Sequence, residues 1–171
     1  SANPDINLIF APHVMLFKRR YHVEASTLKF AIRRRLPARF QNRPNILIDV
    51  NSTRLFDMSY TLAADLYLGD VSSQVMEFIA RPRPCVFLNP RRLNWRDDDA
   101  FAAWRLGRVV EDMNDFGPAI RGSLCNRDAY ADAQRTHFND TFNLTDEPSA
   151  ERAARAIACY LEERNTFKPG A

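Results

Sequence analysis

A short polar run, Gly69-Asp70-Val71-Ser72-Ser73, follows an apolar stretch and precedes a segment of helical character. Glycine, small polar residues and a helix start bring unpaired backbone N–H groups and the positive end of a helix dipole to one point. The hydroxyls of Ser72 and Ser73 add donors, so the run suits a phosphate group; its plainer reading is a helix start capped by Ser72. Asp70 stands at the strand end and either contacts a ligand or buttresses the turn. Glu77, five residues after Ser72, is placed to face back and accept ribose or glycerol hydroxyls; the alternative is a solvated helix charge.

His13 follows Pro12 at the end of another apolar run. A histidine there suits general base work or donation to a diphosphate, against a structural role bonding a loop carbonyl. His22 and His137 have no such placement and read as surface or packing residues. No histidine, cysteine and carboxylate set has metal-ligand spacing. Neither GxGxxG nor GxxxxGK[ST] occurs, which disfavours a dinucleotide fingerprint or a P-loop, and no G-x-S-x-G elbow supports serine hydrolysis.

The elements that must position these groups are legible as an alternation. Ile6–Ala11, Asn45–Asp49, Asp65–Gly69 and Cys85–Leu88 read as short buried strands, with Arg108–Val110 as a poorer fifth. Near-continuous apolar strands alternating with helices mark a parallel sheet covered on both faces. Leu28, Ile32 and Leu36 form an apolar helical stripe that leaves Arg33, Arg34 and Arg35 on a solvent face, and Pro37 breaks it. Ser52 or Thr53 caps a second helix carrying Leu55, Phe56, Tyr60 and Ala63; Ser72 or Ser73 caps a third. Asp97, Asp98 and Asp99 occupy the first turn of a fourth. Segments 114–124, 128–138 and 147–164 are predicted helical, the last offering Ala153, Ile157, Cys159, Tyr160 and Leu161 for packing. The fold class is therefore α/β: a Rossmann-like, doubly wound parallel sheet of about five strands with helices gathered at the C-terminal end, one domain over residues 6–164.

In such sheets ligands bind outside the carboxyl ends of the strands. His13 after the first, Asp49, Asn51 and Ser52 after the second, the Gly69–Ser73 run after the third and Asn89-Pro90-Arg91-Arg92 after the fourth all fall at predicted strand ends, so they converge on one edge.

The chain's 171 residues, 46% hydrophobic and 26% charged, exclude collagen, a rod and a disordered tail. No apolar run reaches the roughly 18–20 residues of a bilayer span. Cys85, Cys125 and Cys159 are far apart and odd in number, which argues for a reducing compartment rather than a disulfide framework. Residues 1–43 carry nine basic groups against two acidic ones, whereas 109–171 carry seven against eleven. The opening Ser1-Ala2-Asn3 reads as an expression scar, which makes the chain an excised piece of a longer protein.

From Asp57 to Asn89 the chain reads DMSYTLAADLYLGDVSSQVMEFIARPRPCVFLN. This stretch resembles the C-terminal half of CDP-glycerol glycerophosphotransferases, whose "D-Y-S-S" is similar to Asp70-Val71-Ser72-Ser73. Upstream, IFAPHVML with Pro12-His13 looks like the family's strand ending in a histidine. Downstream, FNLTDEPSAERAARAI resembles its closing motif, matched at Asp146, Ser149 and Arg152. The likeness is collinear over roughly positions 6–162 and strong in these three motifs. Val71 replaces the family's tyrosine, and the acidic residue common after the serines is displaced to Glu77.

The resemblance implies one half of a GT-B fold, the domain that binds a nucleotide-diphosphate donor (CDP- or UDP-linked) as substrate, with no tightly bound cofactor or metal. A separate N-terminal domain would supply the acceptor site. It implies His13 at the reaction centre and Asp70, Ser72 and Ser73 around the donor diphosphate, with Glu77 and Asn51 nearby and Asn89 and Arg152 as further contacts. Such enzymes build teichoic-acid or capsule-like polymers on lipid-linked acceptors at the cytoplasmic face of bacterial membranes.

Two other readings stay open. One is a relative of UDP-sugar 2-epimerases, which share the fold but favour glycine-rich phosphate turns. The other is a non-catalytic module that binds anions or a membrane surface through Lys18, Arg19, Arg20 and Arg33–Arg35. Nucleic acid is disfavoured as a partner, because no aromatics interleave with those bases for stacking.

Overall fold

The computed structural model describes residues 4–12, 21–24, 29–32, 36, 38–41 and 43–166. His13, the basic runs Lys18–Arg20 and Arg33–Arg35, Leu28, Pro37 and the expected scar at 1–3 lie outside the described residues.

Each of the five expected apolar runs contains a strand: β1 (Leu8–Phe10), β4 (Ile46–Ile48), β5 (Tyr67–Gly69), β6 (Cys85–Leu88) and β7 (Arg108–Val110). All pair in parallel, as β1-β4 and β5-β6-β7. The expected single sheet of about five strands does not form: the strands divide into sheets of two and three. Strands of three or four residues make few ladder bonds, and the β1-β4 pair leaves Leu8 and Leu47 exposed rather than covered. Asn45 extends that pair by donating from Nδ2 to the Ile6 carbonyl at 2.9 Å.

The three-stranded sheet is the anchor. Alternate residues of β6 point to opposite faces, as strand geometry requires. Cys85 and Phe87 pack with Val75, Phe78, Ile79, Trp104 and Leu106 on one face. Val86 packs with Val110 and Ala119 on the other. The first face is covered by α2 (Gln74–Phe78) and by a 3-10 segment, Asp99–Leu106. The second is covered by α3 (Phe116–Cys125). Burying a Phe or Val side chain contributes about 1.5–3 kcal/mol, so this sheet rather than the exposed pair carries the core. At its entry to β7, Gly107 stands so close to β6 that a Cβ would lie 2.4 Å from the Cys85 carbonyl oxygen.

Three expected helices are corrected. The stripe at Leu28, Ile32 and Leu36 is not helical over its described part: β2 (Tyr21–Glu24) and β3 (Lys29–Ile32) form an antiparallel hairpin, with Tyr21 opposite Ile32 and Glu24 opposite Lys29. Tyr21, Val23, Phe30 and Ile32 are β-favouring types that also alternate, and over four residues that period wins. The second helix is broken into a 3-10 turn, Thr53–Leu55, and α1 (Ser59–Ala63). Between them Met58 takes a left-handed backbone (φ 62°), which interrupts any continuous helix. The fourth is 3-10 rather than α, its start capped by Asp98 accepting from the Ala100 amide at 2.9 Å.

The C-terminal helices α4 (Ala131–Phe142) and α5 (Ser149–Thr166) follow α3 as expected. The expected packing of α5 is corrected. Ile157, Tyr160, Leu161 and Cys159 are exposed, because both faces of the three-stranded sheet are already covered by other elements.

Candidate functional site

The carboxyl ends of β5, β6 and β7 open onto one edge, with Asp70–Ser73 after β5, Asn89 after β6 and Glu111 after β7. Parallel register alone brings these together, and the three loops differ in what they leave open.

In the first loop, Ser72 is half-buried and occupied. Its Oγ accepts from the Gln74 amide at 3.3 Å. Tyr67 folds back over Gly69, where a Cβ would stand 2.7 Å from the hydroxyl oxygen. Its ring meanwhile packs on Phe78 and Phe87 at centroid distances of 5.7 and 6.1 Å. Burial pushes the Tyr67 phenol above its ordinary pKa, so it stays protonated. The next amides are also taken: Val75 donates to the Ser72 carbonyl at 3.2 Å and Met76 to the Ser73 carbonyl at 3.0 Å. The expected helix-start donors are thus occupied. What remains open among the described residues is the turn before them, the amides of Val71, Ser72 and Ser73 with the exposed Ser73 hydroxyl. Asp70 and Glu77 are exposed beside it.

The β6 loop is closed on itself. Asn89 is 1% exposed; its Oδ1 accepts from the Leu93 amide at 2.8 Å, and its Nδ2 donates to the Leu93 carbonyl at 3.0 Å and to Glu111 at 3.3 Å. The side chain thus holds residues 89–93 in a turn and ties it to the end of β7. Glu111 was not singled out by sequence, since nothing in its neighbours marks it.

At the carboxyl end of β4 the organising group is Asp49 rather than Asn51. Its carboxylate accepts from the amides of Asn51 and Ser52 at 3.1 and 3.0 Å, from the Ser52 hydroxyl, and from Tyr60 at 2.6 Å. Asn51 lends only its backbone N–H and is itself exposed. α1, which carries Tyr60, packs against α2, and so this loop neighbours the Asp70–Ser73 side of the molecule.

The four donors hold the Asp49 carboxyl well below the usual carboxylate range, the Ser52 hydroxyl contributing most. A carboxyl depressed in the folded state adds stability that is fully present above its unfolded pKa and is lost as pH falls through the folded one. We expect the wild-type loop to loosen only in strong acid. Asp49→Asn should abolish that part of the acid dependence and unfasten the loop already at neutral pH. Amide exchange at Asn51 and Ser52 between pH 2 and 7 reads both effects. Equal protection in the two proteins would show that Asp49 does not organise the turn.

The remaining expected residue, Arg152, donates to the Asn143 carbonyl at 2.9 Å at the start of α5, away from the strand ends in sequence. Among the described residues no group of three or more His, Cys, Asp or Glu side chains is arranged to hold a metal ion, and no helix is long and apolar enough to cross a membrane. No protein-family model, no curated protein and no solved structure matches the chain.

Proposed function

We propose that the chain is the donor-binding domain of a transferase moving a glycerol-phosphate or sugar unit from a nucleotide-diphosphate donor to a surface-polymer or lipid-linked acceptor. The observation that carries this reading is the β5–α2 turn: three successive amides without partners among the described residues and an exposed hydroxyl, at the carboxyl edge of parallel strands. Such a turn offers several convergent donors to a diphosphate oxygen without any rearrangement of the helix behind it. Ser72 then shapes the turn through its bond to the Gln74 amide, while Ser73 and the turn amides bind. Asp70 and Glu77 receive sugar or glycerol hydroxyls.

In this reading the two parallel sheets are parts of one doubly wound, Rossmann-like half of a GT-B fold. A second, N-terminal domain supplies the acceptor site at the cytoplasmic face of the membrane. The acceptor hydroxyl oxygen forms the new bond to the transferred group. The bond to the nucleotide phosphate breaks, its electron pair leaves with the nucleotide, and His13 takes the hydroxyl proton. Donors at the turn stabilise the charge gathering on the departing phosphate.

With only one wall of a closing cleft, affinity is modest, in the roughly millimolar range that corresponds to about −4 kcal/mol. Titrating CDP and UDP into the chain should shift the amides of residues 70–74. Ser73→Ala should weaken binding several-fold with an unchanged melting temperature, since its hydroxyl makes no described bond. Shifts confined to other regions, or none with either nucleotide, overturn the donor site. A response to anionic vesicles alone favours the surface-binding module instead.

A further inference from the structure

We infer that the opposite, amino edge of the three-stranded sheet carries a second site, for a small oxyanion ligand. A cleft of about 210 Å³ opens there between the first residues of β6 and β7, the end of α3 and the start of α4. It is separate from the donor turn by the full length of the strands, so it does not depend on the function proposed above.

Arg108, the first residue of β7, supplies the charge. Its guanidinium lies against Gly122 of α3, where a Cβ would stand 3.3 Å from Nη1. A cation at a helix C-terminus ordinarily bonds the last carbonyls. The guanidinium of Arg108, an exposed residue, makes no hydrogen bond or ion pair among the described residues, although the end of α3 is beside it. The other arginine of the cleft, Arg127, is already paired with Asp65 at 3.0 Å. Burial pushes the Cys85 thiol up to about 12, so it adds no negative charge at neutral pH. Among the described residues the cleft therefore holds one uncompensated positive charge.

Neutral hydrogen-bonding groups surround it: Ser123, Asn126 and Tyr130 also line the cleft. A guanidinium offers a planar fork of donors matching the two oxygens of a carboxylate or phosphate. The volume falls below the roughly 300–1,000 Å³ usual for sites of drug-sized ligands. That selects inorganic phosphate or a short carboxylate-bearing molecule over a nucleotide.

The test is an NMR titration of the whole chain with phosphate, with acetate and, as an ionic-strength control, with chloride. We expect saturable shifts at Gly122, Ser123, Asn126 and Tyr130 that chloride does not reproduce. Arg108→Gln should weaken them at least tenfold, and Ser73→Ala should leave them unchanged. Response to phosphate alone identifies a phosphoryl ligand, and response to acetate alone a carboxylate. Ser123→Ala, a smaller change, should give a partial loss and keeps the test decisive if Arg108→Gln perturbs the fold. Shifts that track ionic strength, or saturable binding that survives Arg108→Gln in a folded variant, overturn the site.

Discussion

Arg83→Ala is expected to lower the stability of the fold by about 3 kcal/mol, a loss of roughly a hundredfold in the folded-to-unfolded ratio. The Arg83 guanidinium closes the ends of two short helices at once. Nη1 donates to the carbonyls of Thr61 at 3.0 Å and Ala64 at 2.6 Å, at the end of α1. Nη2 donates to the Phe78 carbonyl at 2.7 Å, at the end of α2, and Nε to the Arg81 carbonyl at 3.2 Å. The guanidinium carbon also sits 3.9 Å from the centre of the Phe78 ring. Helix ends leave carbonyls without intrahelical partners, and helices of five residues have no internal reserve to absorb that loss. Hydrogen bonds to charged groups contribute about 1.5–3 kcal/mol each and do not add in full when they share one donor group, hence a net figure near the top of that range. Arg83→Lys keeps the charge but not the fork, so it should recover less than half. Urea unfolding followed by circular dichroism measures both variants; a loss under about 1 kcal/mol for the alanine variant would show that water replaces these bonds freely.

Gln134→Leu should be of similar size, about 3 kcal/mol, for a different reason. Gln134 lies on α4, is 1% exposed, and has its amide fully engaged. Oε1 accepts from the Arg83 amide at 2.9 Å, while Nε2 donates to the carbonyls of Arg83 at 2.9 Å and Leu106 at 2.8 Å. One side chain thus pins α4 to the entries of both β6 and β7. Leucine fills comparable space but leaves the Leu106 carbonyl and the Arg83 N–H without this partner, and the Arg83 carbonyl with only the weak Cys85 thiol at 3.6 Å. Gln134→Glu keeps the acceptor and loses the donors, and it places an ionisable group in a dry site. Its folded pKa is then raised, so the variant should be least stable above the ordinary carboxyl pKa and partly recover as pH falls. Chemical denaturation at pH 4 and 7 distinguishes the two variants. A Glu variant indifferent to pH would show that water reaches this position. Since Gln134 holds the Arg83 backbone and Arg83 holds the helix ends, the double substitution should cost less than the sum.

The strands were legible because each is a short run of apolar residues between polar or turn residues, and the parallel pairing of β5, β6 and β7 follows from the helical segments lying between them. The turn at Asp70–Ser73 was legible too, since glycine and small polar residues before a helix have few other uses. The hairpin at 21–32 was not: its residues satisfy a period of two and of nearly four over the same short span, and only pairing between the strands chooses. The division into two sheets was likewise invisible, because an apolar run does not state its neighbour. Nothing local in the sequence marks Arg83 or Gln134. Their partners lie up to 51 residues away, and no local spacing announces them.

Sequence by itself determined the class of the fold, the position of its strands and the collection of polar residues at their carboxyl ends. These depend on local composition and on the direction of parallel strands. Tertiary structure decided which of those polar groups are open. Asn89 and Ser72 are engaged by Leu93, Glu111 and Gln74, and Asn51 yields its place to Asp49, whereas the amides of Val71–Ser73 and the guanidinium of Arg108 are left without partners among the described residues. A side chain's type says which bonds it can make, but whether they are already made depends on groups that only folding brings within about 3 Å.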